Sequence, residues 1–262
     1  MTSILVPYHL DEYLPELDVP GPTDTTVMPA LPDGDPWRRM GWLYGAVAAT
    51  VASAATAGSR PLVCSGDCTT ALGVVAGLQR TGSDPAVVWF DAHGDLQTPE
   101  TTTSGYLGGM PLRLLAGYRP ELIAAGLGLS PVAEERIVLV DGRDLDPPEV
   151  DYLRQSPIRR IPVDGIDPAG LPDGPIYLHL DADVVDPVEL PGLWFPAPGG
   201  PQLDMVAAAV HQVLDTGRVV AVGIACTWDP NHGAAARLGP LAKEIIHRLG
   251  QPAGRPASCR RR

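Results

Sequence analysis

The 262-residue sequence predicts an α/β protein with a mainly parallel sheet and helices on both faces. Three observations carry that expectation. Short apolar runs recur along the chain and read as strands buried on both faces. Helical patterns separate these runs, and parallel strands need such crossovers. Several runs end in acidic or polar turns, at the carboxyl strand ends where open α/β sheets keep their sites.

In chain order, residues 3–7 read as the first strand, and residues 11–35 as a Pro-rich irregular loop, of the length that borders sites. Residues 36–57 form a long helical pattern. Residues 61–64 are a short buried strand, followed by Ser65-Gly66-Asp67-Cys68-Thr69-Thr70 and a helix through Leu78, which leaves Asp67 and Cys68 at a strand end. The strand at 86–90 runs into Asp91-Ala92-His93-Gly94-Asp95. A polar, Gly-rich stretch (97–109) precedes a helix at 111–117. Strands follow at 137–140, 158–163 and 176–180, the last running into Asp181-Ala182-Asp183-Val184-Val185-Asp186-Pro187. A Pro/Gly loop reaches Pro201, then a helix to about Thr216, a strand at 219–226, a loop at 228–233 and a helix at 234–249. Neither linker nor repeat interrupts this order, so residues 1–250 read as one domain; residues 251–262, ending in Arg260 to Arg262, read as a disordered tail.

A formal charge of −12 argues against nucleic-acid or anionic-membrane partners. The Ala-rich stretch 43–58 is too short and too interrupted to span a membrane and suits a core helix. The N-terminus shows no secretory signal, and four cysteines in such a chain read as thiols, so the expected location is cytoplasmic. No Walker loop or strand-linked Gly-x-Gly-x-x-Gly implies a nucleotide cofactor.

If the backbone stays extended past Phe90, Asp91, His93 and Asp95 point the same way, and Asp181 and Asp183 do likewise. Carboxylates and an imidazole crowded together repel and desolvate one another unless a cation sits among them. Two strands delivering acids in this way make a cavity able to hold two hard cations. His179, two residues before Asp181, reads equally as support for a carboxylate or as a satisfied core histidine. Asp186 before Pro187 reads as a turn or cap residue, Cys64 and Cys226 as core, and His9, His211 and His247 carry no functional reading.

Asp67-Cys68, the Asp91–Asp95 run, and Asp181-Ala182-Asp183 with Asp186-Pro187 resemble, in order and spacing, the three metal signatures of the arginase/agmatinase (ureohydrolase) superfamily. The resemblance spans roughly residues 60–230. It implies a three-layer α/β/α fold with a mainly parallel, roughly eight-stranded sheet, and a binuclear centre of two Mn2+ per chain. That centre would hydrolyse a guanidino group by a metal-bridging hydroxide, whose formation near neutral pH the cations favour. It further implies that Asp91 and Asp181 bridge the ions, that Cys68 and Asp95 complete one, and that His93 and Asp183 complete the other, with Asp95 also serving catalysis. Residues 98–105 resemble an α-carboxylate-binding loop with Gln97 and Ser104 at the contacting positions, and Asp146 matches the position that holds an α-amino group. The implied partner is a small guanidino amino acid. Relatives assemble as trimers or hexamers, so a homo-oligomer is compatible with the resemblance.

Three departures from the family pattern bear on the substrate. Cys68 replaces an imidazole ligand by a softer thiol, so its site is expected to bind manganese weakly or exchangeably. Gly108 replaces a proton-shuttling histidine, and Thr227 replaces a glutamate that grips the guanidinium; Asp229 lies near but out of register. His232 is the candidate replacement shuttle, against the plainer reading of a surface-loop histidine. Cys68 with Gly105-Tyr106-Leu107-Gly108-Gly109-Met110 is similar to the Nω-hydroxy-L-arginine amidinohydrolases of D-cycloserine biosynthesis, which release hydroxyurea. A hydroxyguanidine has a lower pKa than a guanidine and needs less from a gripping carboxylate. The expectation is therefore hydrolysis of Nω-hydroxy-L-arginine to L-ornithine and hydroxyurea. An ordinary arginase or other guanidino-acid hydrolase, and a non-catalytic metal-poor relative, are the alternatives.

Overall fold

The computed structural model describes residues 1–251, so all but the first residue of the expected tail lies outside the described residues. Strand β1 (Thr2–Val6) is followed by a short antiparallel hairpin, β2 (Tyr8–His9) and β3 (Glu12–Tyr13), and by β4 (Thr25–Thr26). Helix α1 (Pro36–Thr56), β5 (Pro61–Ser65), α2 (Ala71–Gln79), β6 (Ala86–Asp91), and the short α3 (Pro111–Leu115) and α4 (Ala124–Leu127) come next. The remainder is β7 (Ile137–Asp141), α5 (Pro147–Gln155), β8 (Arg159–Ile161), β9 (Ile176–Asp181), α6 (Leu203–Asp215), β10 (Val219–Ala225) and α7 (Ala234–Gly250). Eight strands form one sheet in the order β4-β1-β5-β10-β9-β6-β7-β8, and every pairing is parallel.

The two-residue period of the strands divides their apolar side chains between two cores. Val87 and Trp89 of β6 and Tyr177 of β9 enter one core with α1, α2, α3 and α4. Val88 and Phe90, with Leu178 and Leu180, enter the other with α6 and α7. Three layers result, with a sheet apolar on both faces between them. Helix α1 starts on Asp35, whose side chain accepts the Arg38 N–H at 3.0 Å, with Pro36 in the first turn. It packs closely on α2 through two glycines: a Cβ at Gly73 would lie 2.9 Å from Tyr44 O, and one at Gly77 2.7 Å from Ala48 O.

Two expectations are corrected. The strand placed at 158–163 is shortened to Arg159–Ile161, at the sheet edge where it has one partner. Helix α5 was not expected, although Asp146-Pro147-Pro148-Glu149 carries a capping box with proline in the first turn.

Candidate metal centre

Parallel pairing sets Phe90 beside Leu180, so Asp91 and Asp181 stand abreast where β6 and β9 end. Two strands from β9, β5 ends at Ser65, paired with Ala225 of the intervening β10. The chain then turns so that Asp67 caps a short 3-10 helix and Cys68 opens it. The Asp67 side chain accepts N–H groups from Thr69 and Leu10, both at 2.7 Å, which fixes the turn. Cys68 Sγ thereby comes within 2.8 Å of Asp181 Oδ2 and 4.0 Å of Asp91 Oδ2.

The acids converge as expected, but not on an extended backbone. Pairing of β6 and β9 stops at their last residues, and the chain folds back over each strand tip. The His93 N–H donates to Asp91 Oδ1 at 2.7 Å, and the Asp183 N–H donates to Asp181 Oδ1 at 2.9 Å. Asp183 lies in a 3-10 turn, and Asp95 has a left-handed φ of 55°. Aspartates favour such local side-chain-to-backbone turns over continuation of a ladder.

Two groups of donor atoms result, each with its atoms within 4.8 Å of one another: Cys68, Asp91 and Asp181, and Asp91, His93 and Asp183. Asp91 belongs to both. Asp181 falls in one only, and Asp95 in neither, although it lines the same cavity. The Asp95 carboxylate is buried and its Oδ2 has no hydrogen-bond partner, so an acceptor is left for a cation to satisfy.

Electrostatics agree with that fit. Burial, and then the charges of Asp91 and Asp181, push the Asp95 carboxyl well up. Burial and Asp183 raise Asp181, while burial and Asp91 bring Asp183 up to about 6. Burial also raises the Cys68 thiol, with Asp181 adding to it. Against burial, hydrogen bonds to Asp183 and Asp91 push His93 up to about 12, so a proton on this ring ties the two carboxylates together. Burial presses the Asp91 carboxyl upward, but His93 outweighs it and holds the carboxyl down. The buried carboxylates thus carry more negative charge than the His93 ring offsets. Carboxylate oxygens, an imidazole and a thiol in these positions suit divalent cations.

Above the cluster lies a cavity of about 500 Å³. Gln97, Ser104, Asp146 and Thr227 all line it. Gln97 Nε2 donates to Asp146 Oδ2 at 2.7 Å, and Thr227 Oγ1 donates to Asp181 Oδ1 at 3.2 Å. Asp229 does not approach: its side chain accepts the Trp194 indole N–H at 2.8 Å. Asp186 accepts the N–H groups of Val188, Gly199 and Gly200, a turn-holding role.

His232 is not brought to the cavity. It is exposed, with Nδ1 3.2 Å from Pro230 O, because the loop before α7 turns outward at Asn231 and Gly233 in left-handed conformations. His179 is buried and reaches no carboxylate: Nδ1 lies 3.1 Å from Tyr177 Oη, and burial lowers its pKa to about 3. Its ring stacks 3.7 Å from Trp89, which in turn donates to Asp91 Oδ2 at 3.0 Å.

Sequence reasoning missed four contributors. Glu149 accepts the Leu96 N–H at 2.9 Å and the Asp146 N–H at 3.0 Å, joining the loop of Asp95 to the start of α5. The capping box was the legible signal for it. Tyr106 and Phe195 line the cavity, and His9 stacks on Tyr106. No local pattern links positions 9, 106 and 195.

A family model described as the arginase family matches residues 28–246. The chain belongs to the arginase family. Among relatives, an arginase from Bacillus subtilis strain 168 is 33% identical over 203 residues, covering 72% of this chain and 68% of that one. An arginase from Staphylococcus aureus strain MRSA252 is 36% identical over 147 residues, or 50% of this chain; the matched stretch spans 48% of that relative, about half its length. The crystal structure of a Bacillus subtilis arginase superposes with a TM-score of 0.77 at 25% identity, covering 96% of this chain and 99% of that one. An agmatine ureohydrolase of Thermoplasma volcanium shares the fold alone, with a TM-score of 0.68 at 15% identity. This arginase-family chain therefore has the expected three-layer architecture with an eight-stranded sheet. Among its described residues no helix is long and apolar enough to cross a membrane.

Proposed function

We propose that this chain is a binuclear, manganese-dependent amidinohydrolase acting on an L-arginine-like amino acid, with Nω-hydroxy-L-arginine as the substrate. The observation that carries the reading is the buried set Cys68, Asp91, His93, Asp181 and Asp183, with Asp95 beside it, at the floor of a cavity walled by Gln97, Ser104 and Asp146. The oxygen-rich donors favour Mn2+ as the metal, and Cys68 makes its own site the weaker one. When bound, the cation pair supplies Lewis acidity that makes water a nucleophile near neutral pH.

The chain's own residues then bind and orient. Asp146, fixed by Gln97 and at the start of α5, offers its carboxylate to an α-ammonium group. Ser104 and the Gln97 side chain offer polar atoms to an α-carboxylate. Thr227 spends its hydroxyl on Asp181 and supplies no charge. A guanidinium would meet no dedicated carboxylate at this position, whereas a hydroxyguanidine can present a neutral form. This supports the hydroxylated substrate. The relatives named arginase favour the second reading, hydrolysis of L-arginine itself.

The test is metal analysis followed by a substrate panel. About two manganese ions per chain and release of hydroxyurea from Nω-hydroxy-L-arginine are expected. Urea from L-arginine at the higher kcat/KM would transfer the assignment to the second reading. No bound manganese after loading, and no turnover of any guanidino compound, would overturn both and leave a non-catalytic relative.

A further inference from the structure

Hydrolysis of a neutral guanidino or hydroxyguanidino group forms a C–O bond and breaks a C–N bond; one proton of the consumed water ends on the departing amine and the other on the imino nitrogen that stays with the urea product. Some group at the cavity must therefore deliver a proton to that nitrogen as the C–N bond breaks. Most polar side chains lining the cavity are already engaged. Glu149 spends both oxygens on backbone N–H groups, Asp146 is bonded to Gln97, and Thr227 donates to Asp181. Asp144 is largely exposed and faces His93 at 3.9 Å.

Tyr106 differs. Its hydroxyl lies 3.2 Å from Nε2 of His9, and the two rings stack at 5.7 Å with 12° between their planes. The far nitrogen of His9, Nδ1, is 2.9 Å from the Gly66 carbonyl oxygen. A carbonyl only accepts, so this bond places a proton on Nδ1 and leaves Nε2 as the nitrogen that faces the Tyr106 hydroxyl. His9 is partly exposed and packs edge-on against Trp194 at 5.1 Å, which holds the ring while leaving it a path to solvent. Tyr106 also occupies the space that a side chain at Gly108 would need: a Cβ built there falls inside van der Waals contact with Tyr106 Cζ and Oη. The tyrosine, not residue 108, shapes this wall.

Resting on the hydrolase reading above, we propose that Tyr106 and His9 form a proton-carrying pair. Tyr106 Oη gives its proton to the departing nitrogen and receives one from Nε2 of protonated His9. His9 then recovers a proton from solvent, balancing the one that the attacking water gives up. The amine leaves protonated, and Tyr106 is never left as a phenolate.

The test compares the wild type with Tyr106→Phe and His9→Ala at saturating manganese, reading kcat and KM for the preferred guanidino substrate. Tyr106→Phe keeps the ring and its stacking, and a loss of general-acid assistance is worth about 10²–10⁴-fold. The expected result is a fall in kcat of about 10²-fold or more with KM within about threefold, and partial recovery of His9→Ala by added imidazole. A second readout needs no turnover: in metal-free protein the ¹⁵N shifts of His9 should report a proton on Nδ1 and a hydrogen-bonded Nε2 that changes in Tyr106→Phe. An active wild type with unchanged kcat in Tyr106→Phe overturns the pair and leaves the hydrolase reading standing. So does a His9→Ala variant that loses KM alone and ignores imidazole. A wild type that turns over no guanidino substrate overturns both.

Discussion

Replacing Glu149 by alanine is a sharp test of how the site is held. Its buried carboxylate accepts N–H groups from Leu96 and Asp146 at 2.9 and 3.0 Å, so one side chain ties the loop after β6 to the first turn of α5. Leu96 is buried, and stranding its N–H costs about 1–3 kcal/mol. Asp146 is exposed, so its N–H turns to water and loses about 1 kcal/mol. Part of this is recovered, because burial raises the Glu149 pKa and alanine removes that penalised charge. A net loss of about 2–3 kcal/mol is expected, or a melting temperature lower by roughly 4–12 °C for a chain of this length. Glu149→Gln keeps one acceptor and sets an amide N–H₂ against the other donor, so it should fall between wild type and alanine. Manganese affinity should weaken in both variants, because Asp95 sits on the loop released. Denaturant titration and calorimetry of metal-free protein read the first effect. An alanine variant melting within about 1 °C of wild type, outside the 2–4 °C that a single kcal/mol is worth, would refute the reasoning.

Three further outcomes follow from the same geometry. Metal-free and loaded protein should diverge with pH. His93 sits near 12, above its unfolded value of 6.5, so its contribution is full below about 6.5 and fades as pH rises; Asp183, raised to about 6, penalises the metal-free fold as pH climbs from about 4 to 6. Asp91 alone among the four acids opposes this trend, its pKa being held down. The melting temperature of chelator-treated protein should therefore fall between pH 4 and 8, while manganese affinity rises about tenfold per pH unit for each proton displaced; a flat affinity profile from pH 6 to 8 would count against His93 as a ligand. Cys68→His should keep manganese bound and tighten it, whereas Cys68→Ala should lower metal content, as read by elemental analysis; equal content in both places Cys68 outside the donor set. Gly77→Val should destabilise by about 2 kcal/mol or more in urea titration, because its Cβ meets the Ala48 carbonyl at 2.7 Å and neither backbone can withdraw cheaply.

Much of the fold was legible because buried parallel strands announce themselves as unbroken apolar runs, and five of those runs set the central strands and β7 within a residue or two. The acids at the ends of β6 and β9 were legible for the same reason: a charged residue directly after such a run has to lie at a strand tip. The manner of their convergence was not, since an extended backbone and a folded-back one give the same residue spacing. Only the turn geometry at Asp95 and Asp183 distinguishes them. Helix α5 and Glu149 are readable in principle from the capping box that Asp146 and Glu149 form.

What the sequence determined by itself, then, is which residue types end which strands, for this depends on local patterning and on the cost of burying an unpaired charge. What tertiary structure alone decided is who meets whom across the sheet. Asp91 and Asp181 are abreast because β6 and β9 pair in register, Cys68 joins them from the end of β5, two places from β9 and three from β6, and His232 stays outside because its loop turns outward. Tyr106, His9 and Phe195 come together from three segments whose separation no periodicity encodes. Contacts of that kind arise from the summed packing of distant elements, and no short stretch of sequence carries them.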